Sequence, residues 1–203
     1  MFTIGHSTHT LKTFLELLQM HAVTAVADVR SSPYSRFNPQ FNRERFADAL
    51  KADGIKYAYL GNELGGRSED RSCYRNGRVC YSRVAETESF KTGLDRVVDG
   101  AAKFRVALMC AEKEPLDCHR TLLVSQSLVK NGINVEHIHA DGELEPHSDA
   151  MDRLLALHKL DRENEGFFPV PRKELIAEAI GRQTERVAYV KDEPAFQDMG
   201  KLS

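Results

Sequence analysis

The chain has 203 residues, 29% charged and 41% hydrophobic, the make-up of a globular protein of one domain or of one domain with an appendage. A formal net charge of -2 excludes nonspecific nucleic-acid binding by bulk charge and leaves only a local basic patch for such a partner. Four Cys are too few for a disulfide scaffold, no apolar run is long enough to span a bilayer, and the N-terminus lacks a basic region followed by an apolar core. The expectation is a cytoplasmic protein with no membrane partner, whose cysteines are thiols, ligands or core residues.

Phe2-Thr3-Ile4 predicts a short strand ending at Gly5-His6-Ser7. A helix capped by Thr8 or Thr10 follows, because Leu11, Phe14, Leu15 and Leu18 share a face. The run Thr24 to Val29 is continuously apolar apart from Asp28, as in a strand covered on both sides, with Asp28 and Arg30 at its end. After a loop with Pro33 and Pro39, Asn42 predicts an N-cap, with Phe41 and Phe46 as the hydrophobic staple around it. Lys56 to Leu60 reads as the next strand. Residues 61–83 hold Gly65-Gly66 and five arginines, the composition of a functional or poorly ordered loop, with Asn76-Gly77 as a weak hairpin signal. Thr87 to Ala102 predicts a helix leading to the strand at Val106.

Thr121 to Asn131 predicts an amphipathic helix stopped at Gly132, and Asn134 to Ile138 the last strong strand. His137 and His139 would share one face of it as solvated or core-edge residues. Beyond this point Ser148 to Leu160 and the segment after Pro171 predict helices, and Arg186 to Val190 a short edge strand. The strand–helix alternation predicts an α/β fold, a three-layer sandwich around a mainly parallel sheet. Residues 1–145 would form its core and residues 146–203 a C-terminal helical extension packed on it, all in a single domain.

The chemistry concentrates between Arg105 and Arg120. The apolar run Val106 to Met109 ends at Cys110, a polar turn carries Glu112, Glu114 and Pro115, and Cys118-His119-Arg120 opens a helix. In α/β proteins, ligands bind beyond the carboxyl ends of the strands. With Asp117 as cap, the first N–H groups of that helix would face the loop, favouring an anion and a Cys118 thiolate. Cys110, Cys118 and Glu112 are the candidate catalytic groups, the thiols as nucleophiles and Glu112 as general acid or base. Gly5, His6, Ser7, Asp28, Arg30, Arg67, His119 and Arg120 are candidate binding residues, because predicted parallel strands bring Gly5–Ser7 and Asp28–Arg30 to the edge that holds Cys110. The bland alternatives are buried core thiols, an Asp28–Arg30 structural pair and a Glu112–Arg120 pair. Cys110 and Cys118 are too far apart in sequence for a typical structural zinc site, and Cys73 and Cys80 form no tight second pair, so no metal is assigned. Phosphate-loop, dinucleotide and nucleophile-elbow motifs are absent.

Ile4-Gly5-His6-Ser7, Asp28-Val29-Arg30-Ser31 with Pro33 and Ser35, Asn38-Pro39 with Phe41, Leu64-Gly65-Gly66-Arg67, and Cys110-Ala111-Glu112 followed by Cys118-His119-Arg120 occur in this order. As an ordered set they resemble the bacterial and archaeal family called domain of unknown function 488, with further likeness at His137-Ile138, Asp141-Gly142 and Ala188-Tyr189. The resemblance implies a single α/β domain with a shared pocket and names no reaction or cofactor. A looser likeness to rhodaneses and cysteine phosphatases breaks down at the Cys110-to-Arg120 loop, which is longer, contains Pro115 and holds a second Cys. The leading functional expectation is a small-molecule enzyme or ligand-binding domain for an anionic, phosphate- or nucleotide-like partner. The alternatives are a nucleic-acid-binding module that stacks bases on Tyr74 and Tyr81 of the arginine-bearing loop, or a metal-binding protein.

Overall fold

A computed structural model describes residues 1–161 and 169–191. The apolar runs form strands β1 (Phe2–Gly5), β2 (Ala25–Asp28), β3 (Lys56–Tyr59), β6 (Val106–Cys110) and β7 (Glu136–Ile138). Together with β8 (Leu144–Pro146) they make a six-stranded sheet in the order β3-β2-β6-β1-β7-β8, parallel except for β8. A separate hairpin joins β4 (Tyr74–Arg75) and β5 (Arg78–Val79). Strand β6 shows why its sequence does not alternate. Val106, Leu108 and Cys110 enter one core with Phe90, Leu94 and Leu122, while Ala107 and Met109 enter a second core with Phe14, Phe41, Phe46 and Leu50. Helices cover both faces, so every β6 side chain is buried.

On the second face lie α1 (Leu11–Met20) and α2 (Arg43–Ala52). Thr10 caps α1 by accepting the Thr13 N–H at 3.1 Å. Phe41 and Phe46 pack edge to face with centroids 5.5 Å apart, the expected staple at the start of α2. Asn42 holds the cap position, but its side chain accepts the Ser35 N–H at 2.8 Å instead of a helix N–H. On the other face, α5 (Glu88–Ala101) is capped by Thr87, whose oxygen accepts the Phe90 N–H at 3.3 Å.

Residues 61–83 hold short regular pieces around an irregular stretch at 65–70. The pieces include α3 (Gly61–Leu64), the β4–β5 hairpin and α4 (Tyr81–Ala85). Asn76 and Gly77 both take positive φ, 51° and 73°, as a two-residue hairpin turn with the sheet's twist requires. This hairpin is tied to the C-terminal arm: the Val79 N–H donates to the Tyr189 carbonyl at 3.0 Å and the Lys191 N–H to the Gly77 carbonyl at 2.8 Å.

After the Cys110 loop come α6 (Gln126–Lys130), α7 (His147–Leu157) and α8 (Arg172–Val187). Leu154, Leu155, Leu160, Leu175 and Ala179 join the core of the first face. The expected edge strand at Arg186 is corrected. Helix α8 continues through Val187, burying Leu175, Ala179 and Gln183 at helical spacing, and only Val190 bridges to Arg78. The rest of the C-terminal extension lies outside the described residues. His137 is also corrected from solvated or core-edge to fully buried, because β8 and α7 cover it. It lies between Thr3 Oγ1 at 2.8 Å and His147 Nδ1 at 3.1 Å, and His147 Nε2 meets Gln126 Oε1 at 3.0 Å.

Candidate functional site

At the carboxyl edge, β1 and β6 continue past their ends. The His6 N–H donates to the Cys110 carbonyl at 2.8 Å and the Ser7 N–H to the Ala111 carbonyl at 2.9 Å. Gly5 lies directly opposite Cys110, and a Cβ there would sit 1.8 Å from the Glu112 carbonyl oxygen. The glycine is what lets the Cys110 loop fold down over β1.

One strand further, Asp28 and Arg30 form a buried bidentate pair, with Nε–Oδ1 at 2.9 Å and Nη2–Oδ2 at 2.6 Å. Tyr57 donates its hydroxyl to Asp28 Oδ2 at 2.8 Å, and Arg30 Nη2 also donates to the Phe41 carbonyl at 2.9 Å. His6 stacks on Phe41 at 4.5 Å. Its Nδ1 faces the Ser7 carbonyl at 2.9 Å and so carries the proton, leaving Nε2 to accept from Arg30 Nη1 at 3.3 Å. Burial, with the Arg30 charge acting in the same direction, pushes His6 down to about 4. The imidazole is neutral at pH 7 and frames the site from beneath.

The Cys110 loop returns on itself. A tight turn, Pro115–Asp117, leaves Cys118 extended, and a wide π turn, Arg120–Ser125, runs into α6. Such turns are rare and concentrate at functional sites. The expected Asp117 cap is corrected. The Cys118 N–H is held by the Pro115 carbonyl at 3.2 Å, and the Arg120 N–H meets Cys118 Sγ at 3.4 Å. Asp117 Oδ1 instead accepts from Gln183 Nε2 at 3.0 Å. Arg120 is fully buried and bonds backbone: Nη1 donates to the Glu112 carbonyl at 2.6 Å and Nη2 to the Lys113 carbonyl at 3.2 Å. It is a strut under the loop and does not face the cavity described below.

Above this strut four groups converge. The ligand-type atoms of Cys110, Glu112, Cys118 and His119 all lie within 4.8 Å of one another. The Cys118 thiol donates to Glu112 Oε2 at 2.9 Å. His119 Nδ1 stands 3.8 Å from Cys110 Sγ and 3.9 Å from Cys118 Sγ, while its Nε2–H donates to the Val29 carbonyl at 2.9 Å. Gly66 backs the imidazole so closely that a Cβ would come within 2.8 Å of it. Glu112 as a whole residue is exposed, yet its carboxylate turns inward onto Cys118. Burial and the neighbouring Cys118 sulfur push the Glu112 carboxyl and the Cys110 thiol up. Against burial, the Cys110 hydrogen bond and the Arg120 and His119 charges hold the Cys118 thiol well below its ordinary range.

Three of these groups form the floor of a cavity of about 270 Å³. Cys110, Glu112 and His119 line it, as do Arg30 and Arg67; Gly5, His6, Ser7, Asp28, Cys118 and Arg120 do not. The second set builds the framework that holds the first. Ser32 and Val187, which sequence patterns did not single out as site members, complete the wall with Ser31, Gly66, Asp117, Tyr189 and Tyr81, the last expected only as a stacking residue. Only the family likeness pointed to Ser31, Gly66 and Tyr189. Tyr81 is 7% exposed and reaches solvent only at the cavity, and Tyr74 donates its hydroxyl to the Ser68 carbonyl at 2.7 Å.

With this geometry in place, the motifs that carry it can be compared with known families. Residues 10–126 match the family model described as Domain of unknown function DUF488. The chain belongs to the DUF488 family. The match takes in Arg30, Gly66, Arg67, Cys110, Glu112 and His119, the cavity wall from strand β2 to the wide turn. Val187 and Tyr189, which close the cavity from the C-terminal arm, lie outside the DUF488 match. No curated protein and no solved structure matches the chain. Among the described residues, no helix is long and apolar enough to cross a membrane.

Proposed function

We propose that the chain binds a compact anionic small molecule, phosphate- or nucleotide-like, and that the Cys110–Glu112–His119 wall acts on it. The observation that carries this reading is a single cavity lined by two arginines together with a thiol, a carboxylate and an imidazole. Arg67 supplies the attraction. Its guanidinium lies over the Tyr189 ring, 4.6 Å from the centroid, and has no carboxylate partner among the described residues. Arg30 is matched in charge by Asp28, so it contributes direction and a fixed donor, not net charge. Ser31 and Ser32 add hydroxyls. At about 270 Å³ the cavity suits a phosphoryl or carboxylate head group, with any larger body reaching out past Arg67.

Calorimetric titration with inorganic phosphate, adenosine monophosphate and glucose 6-phosphate tests it. At least one probe is expected to bind wild-type protein, and Arg67→Ala to weaken that binding roughly tenfold, the size of one lost charge-assisted contact. Absence of heat from all three at millimolar concentration, or binding indifferent to Arg67→Ala, overturns the reading.

A further inference from the structure

We propose that Cys110, Cys118, His119 and Glu112 bind one zinc ion in the floor of the cavity. Two of the ligand–ligand edges already have nearly the length of a coordination shell. Metal–sulfur bonds of about 2.3 Å and metal–nitrogen bonds of about 2.0–2.1 Å, at the tetrahedral angle, place sulfur and nitrogen about 3.6 Å apart. His119 Nδ1 stands 3.8 and 3.9 Å from the two sulfurs. The third edge, Cys118 Sγ to Glu112 Oε2, is 2.9 Å, the span of a thiol hydrogen bond. A tetrahedral shell requires this edge to open to about 3.6 Å, with the thiol proton lost to ligation.

Three further observations point to an ion. The His119 ring is oriented as metal-bound imidazoles are: its Nε2–H is fixed on the Val29 carbonyl at 2.9 Å, so Nδ1 is the nitrogen turned to the two sulfurs, where a metal would take the place of its proton. The backbone already offers an N–H to Cys118 Sγ, at 3.4 Å from Arg120 N, which stabilises a thiolate. Finally, Arg120 is a fully buried cation with no carboxylate partner among the described residues; its guanidinium donates to carbonyls alone, and its Nε has no partner. A lone buried charge is costly. A divalent ion with two thiolates and one carboxylate carries a net charge of about -1, the countercharge that Arg120 lacks.

Cys110, Glu112 and His119 also line the cavity, whereas Cys118 closes the cluster from beneath. An ion held here faces the cavity on the Glu112 side. An incoming monoprotonated oxyanion would form its metal–oxygen bond as the Glu112–metal bond breaks, and its own proton would pass to the released carboxylate. This last step rests on the anion-binding reading above; the zinc site does not.

Full-length protein, stripped by chelator under reducing conditions, is titrated with zinc against a chromophoric competitor and separately with cobalt(II). One zinc per chain and a cobalt spectrum with thiolate charge transfer and intense tetrahedral bands are expected. The Cys110→Ser/Cys118→Ser double variant is expected to bind zinc at least a hundredfold more weakly, and Glu112→Gln to keep the charge-transfer band. The wild-type spectrum decides even if the double variant fails to fold. Stripped wild-type protein that takes up no zinc, or a cobalt complex without thiolate charge transfer, overturns the site. Zinc uptake without phosphate binding removes the anion reading alone, and phosphate binding without zinc uptake removes the zinc site alone.

Discussion

The substitution Gly5→Ala is expected to damage both stability and the site. Its Cβ would lie 1.8 Å from the Glu112 carbonyl oxygen and 2.8 Å from the carbonyl carbon. An ordinary carbon–oxygen contact is about 3.3 Å, so the loop must retreat by roughly 1.5 Å. Backbone cannot swing aside as a side-chain tip can, and this stretch is pinned on three sides. His6 N–H holds Cys110 at 2.8 Å, Ser7 N–H holds Ala111 at 2.9 Å, and Arg120 Nη1 holds Glu112 at 2.6 Å. Overpacking costs about 1–3 kcal/mol, and each buried hydrogen bond broken on one side adds about 1–3 kcal/mol. A loss of roughly 3–5 kcal/mol follows, a fall in melting temperature of about 6–20 °C for a chain this size. Gly132→Ala is the control. Gly132 takes φ +80° with nothing within 4 Å of an added Cβ, so only the strain of that conformation, about 1 kcal/mol, is at stake. Urea unfolding of both variants gives the comparison. If Gly5→Ala unfolds at the same denaturant concentration as Gly132→Ala, the loop does not depend on close approach to β1 and the account of the site's framework fails.

Asp28→Asn leaves the 5%-exposed Arg30 guanidinium without its countercharge, and a loss of about 3–5 kcal/mol is expected in urea unfolding. Adding Arg30→Met to that variant should recover most of the loss. Burial pushes His147 down to about 4 from its ordinary 6.5. Between these values the unfolded chain takes up a proton that the native state refuses, so about 3 kcal/mol of stability present above pH 6.5 disappears as pH falls towards 4. Stability measured at intervals from pH 7 to 4 should therefore fall less steeply in His147→Gln than in wild type; equal slopes would refute this. Iodoacetamide footprinting of metal-free native protein should label Cys80 first, since it is half-buried and, against burial, the Ser82 hydrogen bond and the Arg83 charge lower its pKa. Cys110, which lines the cavity, should follow, while Cys73 and Cys118 react only on unfolding. Early labelling of Cys118 would contradict its placement beneath the floor.

What the sequence shows of this molecule follows what each signal depends on. The unbroken apolar run of β6 and the caps at Thr10 and Thr87 are local patterns, and the elements appear where those patterns stand. Once the strands are parallel, Gly5–Ser7, Asp28–Arg30 and Cys110 must share an edge, because all three follow strand ends. The roles of charged residues follow a different logic. Arg120 and Arg67 are both arginines in motif-like contexts, yet one is a fully buried strut and the other lies over Tyr189 with no carboxylate partner among the described residues. Nothing local separates them, because the difference lies in which backbone carbonyls fold over each. His137 reads as a strand-edge residue until β8 and α7, two elements with weak signatures, cover it.

The same reasoning bears on the wide spacing between Cys110 and Cys118 and on the zinc site proposed for them. Ligand spacing rules describe short turns in which the chain itself sets the separation of its ligands. Here the chain between the two thiols is long enough to wander, and other parts of the molecule bring its ends together. Gly5 lets the loop descend, the Glu112 and Lys113 carbonyls are tied to the buried Arg120, and Gly66 presses the His119 ring towards the sulfurs. The cluster is thus a tertiary product: its four ligand-type groups sit within a short sequence, but the residues that close it come from β1, from the segment after α3 and from the wide turn. Removing the Gly5 or Gly66 approach should scatter the ligands without touching any of them. Zinc affinity in Gly66→Ala is therefore expected to fall roughly 10–100-fold, as for a lost supporting contact behind a metal ligand. Unchanged affinity in that variant would mean that the loop closes on its own, and the two glycines would lose their place in the site.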